Sequence, residues 1–334
     1  MSRLRSWLRP LARFSAHVVS KALPTLLRVP TTRRLLNATY ERTGHVGAGL
    51  FAYLTATAEP RNDFVWRTRV GAGEFGIPVA AQHPRSWSDA LLWRWPPVLP
   101  TRAFYEWYLT ERRGTQNGAR HSVLLDVGAN DGMITYPFAA SGWRCVSFEP
   151  QEDCLRQIRQ TCRVNDFDNV LAIQSVVTSQ PAAGVDFFVS DSSWYSSLSR
   201  DHVEQFENAR MVRVPAITLD GFLAEHDMAP TCIKIDVEGA EADVLDGARH
   251  TLEEHCPELV VEVLTDRAVR EQIWGLLEPL GYRFYVTTTS RSRPLQALPT
   301  FAEFAAAAAE YGHGDFVMIG DAQLNARIAP LLCG

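Results

Sequence analysis

Val123-Leu-Leu-Asp-Val-Gly-Ala-Asn-Asp-Gly132, followed by Phe148-Glu149-Pro150, carries the outline of this fold. Val123, Leu124, Leu125 and Val127 make a continuous apolar run, the pattern of a parallel strand covered on both faces. Gly128 and Gly132 allow a tight turn and a close approach of the backbone to a ligand. Glu149 ends a second strand roughly 20 residues after Asp126, where doubly wound folds grip ribose hydroxyls. Strand, glycine turn, helix and strand together predict an α/β sheet that holds a nucleoside-like cofactor.

The glycine spacing narrows that cofactor. A dinucleotide loop reads G-x-G-x-x-G and brings a pyrophosphate onto a helix N-terminus. Counted from Gly128, the second glycine position holds Asn130 and the third Met133, so the pattern fails. The order Asp126-x-Gly128-x-Asn130-x-Gly132 instead resembles the first motif of S-adenosylmethionine-dependent methyltransferases. An acidic strand end suits a sulfonium and an amino-acid tail better than a pyrophosphate. A second apolar strand, Cys232-Ile-Lys-Ile-Asp-Val-Glu-Gly-Ala-Glu241, abruptly delivers Lys234, Asp236, Glu238 and Glu241. In an open parallel sheet, groups beyond the carboxyl ends of strands face the ligand crevice. Glu241 reads as a helix N-terminal charge, and Lys234 as a partner for a neighbouring carboxylate. Asp236 and Glu238 carry the stronger case for chemistry.

The ordered set VLLDVGANDG, FEP, VPAITLDGFL, IKIDVEGAEADVLDGA and PELVVEV closely resembles the FkbM-type methyltransferases, over roughly residues 105–320. The resemblance implies a class I, Rossmann-like fold: a doubly wound, mostly parallel seven-stranded sheet with an antiparallel edge. It implies S-adenosylmethionine bound by Asp126, Gly128, Ala129, Asn130, Gly132 and Glu149, with Ser175 completing the set. It implies a small-molecule, sugar or lipid-like hydroxyl acceptor, with the Asp236-x-Glu238 segment facing the transferred methyl group. An alcohol acceptor must lose its proton, which makes Asp236 the expected proton acceptor and Glu238 the residue that orients the acceptor or its base. Lys234 and His202 complete the candidate catalytic residues. No metal is expected, although an Asp236/Glu238 pair holding a divalent ion is a competing arrangement. The alternative functions are an NAD- or nucleotide-sugar-binding enzyme on a similar sheet, or a noncatalytic S-adenosylmethionine-binding protein.

Outward from these motifs, strands and helices alternate: strand 122–127, helix 133–141, strand 144–148, helix 151–163 and strand 170–176. Beyond them, 185–189 alternates like an edge strand, and 191–198 is a polar loop whose Trp194 and Tyr195 could cover a substrate. Strands at 212–217 and 258–264, a helix at 267–280, and strands at 282–288 and 316–319 finish the sheet. Upstream, residues 1–60 read as a basic helical extension. Residues 61–100 read as a glycine-centred hairpin and a Trp/Pro-rich connection, and 101–334 as the methyltransferase domain.

Composition fits an ordinary globular enzyme, at 46% hydrophobic and 21% charged residues. The six cysteines show no C-x-x-C pair, and Cys145 and Cys232 lie in predicted core strands while Cys154 and Cys162 lie on the apolar side of a predicted helix, which predicts neither a disulfide frame nor a zinc site and fits a reducing, cytoplasmic setting. The first forty residues hold eight Lys or Arg and no acid, leaving the remainder strongly acidic within a net charge of −5. An acidic catalytic region argues against a nucleic-acid substrate. Leu4, Trp7, Leu8, Leu11, Phe14 and Val18 share one helical face opposite Arg5, Arg9 and Arg13, interrupted by Pro10. Residues 1–20 are therefore a candidate for peripheral membrane contact, or for docking on their own domain.

Overall fold

The computed structural model describes residues 64–70, 73–79, 101–113, 122–189, 210–263, 266–288, 293–311 and 314–332. The expected basic helix at 1–20, the Trp/Pro-rich segment at 80–100, Trp194, Tyr195 and His202 lie outside them. Strands β1 (Phe64–Val70) and β2 (Gly73–Val79) form a two-stranded sheet. Arg69–Phe75 and the chain from Pro100 onward form one compact unit, which contains the main sheet.

That unit alternates as the sequence predicts. It runs α1 (Arg102–Arg113), β3 (Val123–Val127), α2 (Thr135–Ala140), β4 (Arg144–Phe148), α3 (Glu152–Asn165) and β5 (Val170–Ile173). Three strands and a helix then depart from the pattern: β6 (Val176–Val177), β7 (Ala182–Val189), β8 (Arg210–Ile217) and α4 (Leu219–His226). The alternation resumes with β9 (Cys232–Ile235), α5 (Glu241–Asp246), α6 (Arg249–His255), β10 (Glu258–Val263), α7 (Arg267–Leu277) and β11 (Arg283–Thr287). It closes with β12 (Leu295–Ala297), α8 (Phe301–Tyr311), β13 (Gly314–Ile319) and α9 (Ala322–Arg327).

The main sheet has the order β12-β11-β13-β10-β9-β3-β4-β5. Strands β5, β4, β3, β9 and β10 are parallel, and β13 enters antiparallel between β10 and β11. This is the expected doubly wound α/β sheet with its antiparallel edge. It has eight strands where seven were expected, because Leu295–Ala297 pairs outside β11 and adds a short edge. The expected strand 170–176 breaks after Ile173. Val176 and Val177 instead pair with Ala216 and Ile217, in a separate three-stranded sheet with β7. Residues 185–189 and 212–217 are strands, as their alternation implies, but they belong to that second sheet. There Val176, Phe187, Val189, Val214 and Ala216 pack into their own small core.

Burial explains the central strands. Every residue of β3 and β9 is buried, so both need side chains that tolerate cover on two faces. Helix α3 presents Cys154, Leu155, Ile158 and Thr161 inward, carries Glu152 and Asp153 in its first turn, and ends at Asp166 in the left-handed conformation. Cys162, expected on the same face as Cys154, is only half-buried. Thr218 caps α4 by accepting the Gly221 N–H at 3.1 Å. The Asp220 carboxylate then accepts from the backbone N–H groups of His250 and Thr251, which fixes α4 against α6.

Where β3 ends, Gly128 takes φ +72°, and a Cβ there would overlap the Asp236 carbonyl oxygen of the neighbouring strand end. The glycine is thus needed for contact between two strand ends, not only for approach to a ligand. Gly128→Ala is expected to destabilise the domain by roughly 3 kcal/mol or more, the sum of a left-handed backbone and a backbone clash. Chemical denaturation measures this, and an unchanged midpoint would contradict it.

Candidate functional site

The turn after β3 is built by backbone bonds. The amides of Gly128 and Ala129 both donate to the Phe148 carbonyl, at 3.0 and 3.1 Å, and Gly132 N–H donates to the Ala129 carbonyl at 2.8 Å. Asn130 and Gly132 have φ of +48° and +82°, a curled path that turns the Asn130 amide toward the end of β4. There Glu149 Oε2 accepts the Asn130 N–H at 2.8 Å, and Oε1 accepts the Gln151 N–H at 2.9 Å. Glu149 is only 4% exposed. Burial pushes its carboxyl up to about 7, against the pull of those two amides. Each oxygen receives one of these backbone N–H groups and retains a lone pair. A vicinal diol supplies two matching O–H donors, so the carboxylate fits a ribose.

Asp126 lies beneath this turn and is fully buried. Its Oδ2 accepts the Thr135 hydroxyl at 2.6 Å, and Thr135 Oγ1 lies 2.7 Å from Ser147 Oγ. Lys234 comes from β9, beside β3 in the sheet, and donates to the Gly128 carbonyl at 2.7 Å. Its ammonium is 3.5 Å from Asp126 Oδ1 and 3.3 Å from Asp236 Oδ2. Burial disfavours this ammonium, but Asp236 and Asp126 outweigh burial and hold Lys234 protonated. The structure thus sets Lys234 between two strand ends. Ser175, two residues after β5, buries an Oγ that has no hydrogen-bond partner among the described residues.

The turn after β9 is equally constrained. Asp236 N–H donates to the Val127 carbonyl at 3.1 Å, and the Asp236 side chain is half-buried. Glu238 and Gly239 have φ of +55° and +106°, and Glu241 Oε1 accepts the Gly239 N–H at 2.8 Å. Glu241 is 1% exposed, so this expected helix-end charge is also a buried brace for the turn. Burial, Asp236 and Glu241 raise the Glu238 carboxyl to about 8, with Lys234 opposing. Sequence reading missed Thr135, and it missed Glu262 and Asp315, which sit opposite each other on β10 and β13. Glu262 is pushed up to about 10, first by the Asp236 charge and then by burial. Burial raises Asp315 to about 6, opposed by the hydrogen bond from the Thr101 hydroxyl. Two acidic residues interrupting otherwise apolar strands were the available signal.

Among the described residues, no group of three or more His, Cys, Asp or Glu side chains forms a set that could hold a metal ion. Among them also, no helix is long and apolar enough to cross a membrane.

Residues 126–284 match the family model described as Methyltransferase FkbM domain. No curated protein sequence matches the chain. Among solved structures, the chain is similar to a methyltransferase FkbM from Methylobacillus flagellatus KT, at 16% identity over 69% of this chain and 54% of that one, TM-score 0.38. The chain thus spans about half the length of that relative. It is similar to a SAM-dependent methyltransferase from Agrobacterium tumefaciens, at 10% identity over 78% and 72% of the two chains, TM-score 0.41. It is also similar to a Pyrococcus abyssi tRNA (uracil-54, C5)-methyltransferase in complex with S-adenosyl-L-homocysteine, at 13% identity over 76% and 43%, TM-score 0.33.

Glu149, Glu238, Glu262 and Asp315 all titrate above the ordinary carboxyl range when folded. Over that interval the native state keeps protons that the unfolded chain has released, so raising the pH favours unfolding. Their stabilisation is complete below the unfolded values, near pH 4, and is lost progressively up to about pH 10. The melting temperature is therefore expected to fall as pH rises from about 5.5 to 9.5. Calorimetric scans at a series of pH values test this, and a rise across the window would contradict it.

Proposed function

We propose that the chain, whose residues 126–284 match the FkbM methyltransferase domain, methylates a hydroxyl oxygen of a small-molecule, sugar or lipid-like acceptor. The family implies S-adenosylmethionine as the cofactor. The observation that carries the reading is the strand order β9-β3-β4, which sets Asp236 and Glu149 on either side of the Gly128–Gly132 turn. When bound, the cofactor supplies a methyl group on a cationic sulfonium for in-line displacement, where alignment does most of the work.

The residues fit that group. Glu149 offers two oxygens to the ribose hydroxyls, and the backbone of Gly128, Ala129, Asn130 and Gly132 forms the neighbouring wall. Ser175, whose buried hydroxyl has no partner among the described residues, completes the cofactor side. Asp126 acts from beneath, holding Thr135 and Lys234 in place rather than reaching a ligand. Asp236, half-buried at the tip of β9, takes the proton that an alcohol acceptor must lose. Glu238 orients the acceptor, and Lys234 fixes Asp236. His202 is the alternative proton acceptor. The basic residues 1–20 and the free cysteines support a cytoplasmic protein that touches a membrane peripherally. The acidic remainder disfavours a nucleic-acid acceptor.

Calorimetric titration with S-adenosylmethionine and, separately, NAD tests the cofactor. Binding of the first alone is expected, and binding of NAD alone would overturn the reading. Glu149→Gln should weaken S-adenosylmethionine binding about tenfold, the loss of one charge-assisted hydrogen bond. Asp236→Asn should lower kcat about 100-fold or more while cofactor affinity stays near wild type. Transfer of labelled methyl to candidate alcohols reads kcat, and joint loss of binding and turnover would make Asp236 a cofactor ligand instead.

A further inference from the structure

Asp236, Glu262 and Asp315 stand in a row across three neighbouring strands. Ile235 of β9 pairs with Val261 of β10, so the next residues, Asp236 and Glu262, are neighbours. Glu262 in turn pairs with Asp315 of β13. Residues opposite one another in adjacent strands share a face of the sheet. The Asp236 charge acts on the Glu262 carboxyl more strongly than burial does, as this neighbouring placement requires. Two ionised carboxylates side by side repel and have no donor between them, whereas one proton held by the pair supplies a donor and removes the repulsion.

The surrounding charges point the same way. Lys234 reaches Asp236 from its own strand but also serves Asp126 and the Gly128 carbonyl. From the turn after β9, Glu238 and Glu241 bring two further carboxyls near Asp236, each held toward its protonated form by burial and by the Asp236 charge. From β13 comes Asp315, whose Oδ2 accepts the Thr101 hydroxyl at 2.9 Å. From α1, the fully buried Tyr105 faces Asp315 and Asp236 as a neutral phenol. Among the described residues, the Lys234 ammonium thus faces a larger set of carboxyl groups, and a shared proton relieves the excess.

We propose that Asp236 and Glu262 work as one proton-sharing pair, in which Glu262 is a positioning residue for Asp236. This rests on the reading of Asp236 as the proton acceptor in hydroxyl methylation. The Glu262 carboxyl donates to one oxygen of Asp236 and fixes its rotation, leaving the other oxygen for the acceptor. During transfer, the acceptor O–H bond breaks, its proton passes to Asp236, and an oxygen electron pair would form the new oxygen–carbon bond as the cofactor's methyl–sulfur bond breaks, that bond's electron pair staying on sulfur in a neutral thioether. The pair then holds two protons. One leaves to solvent through half-buried Asp236, which restores the starting state.

Carbon-13 NMR titration of the full chain, labelled at Glu and Asp side-chain carboxyls, tests the pair without any acceptor. Wild type is expected to show a carboxyl step near pH 10. That step should vanish or move down by about two units or more in both Asp236→Asn and Glu262→Gln, because an upper midpoint belongs to a coupled pair rather than to one residue. No step above about pH 7 in wild type, or a step unmoved by Asp236→Asn, would overturn the proposal. If Glu262→Gln fails to fold, the Asp236→Asn spectrum alone decides it. S-adenosylmethionine calorimetry on wild type keeps the two readings apart: absent binding sinks the methyltransferase reading and leaves the titration result standing.

Discussion

A single buried ammonium holds the working end of this sheet together. Lys234 spans β9 to the turn after β3, meeting the Gly128 carbonyl, Asp126 and Asp236 within 3.5 Å. Removing one partner from such a buried network typically costs 3–5 kcal/mol, because the charges left behind are uncompensated. With Lys234 absent, two buried or half-buried carboxylates would face each other across adjacent strands. The turn geometry depends on this arrangement, since the Gly128 carbonyl that Lys234 holds belongs to the residue whose left-handed φ starts the loop.

Around that ammonium the site is rich in acid and poor in counter-charge. Burial raises Glu149 and Glu238, and the Asp236 charge raises Glu262. A fold optimised for stability alone would not line one sheet end this way, because each desolvated carboxyl opposes folding as pH rises. The arrangement suits a ligand that brings hydroxyl donors and a positive centre. Strained backbone gathers in the same place, with Asn130 and Glu238 both in the left-handed region.

The opposite end of the sheet is built differently. Glu258, at the start of β10, receives the Tyr108 hydroxyl at 2.6 Å and pairs with Arg112. That acid is matched by a donor and a cation on the same helix, α1. The contrast between a matched acid at one end and under-compensated acids at the other makes the second the candidate end for a ligand.

The order of the main strands and helices, the glycine turn after β3 and the acids that follow β4 and β9 could be read from residues alone. Buried parallel strands are apolar along their whole length, and a polar group that follows such a run must lie at the strand's end. The partners of each strand could not be read this way. Period-two alternation reveals that 185–189 and 212–217 are extended, yet it is silent on which sheet they join, because pairing depends on side chains distant in sequence. Gly128 looked like room for a ligand, and only the approach of β9 revealed the Asp236 carbonyl beside it. Glu262 and Asp315 gained their meaning only when antiparallel register set them side by side next to Asp236. Local pattern encodes burial and turns, whereas the charge that one carboxyl feels from another is set by distance in space.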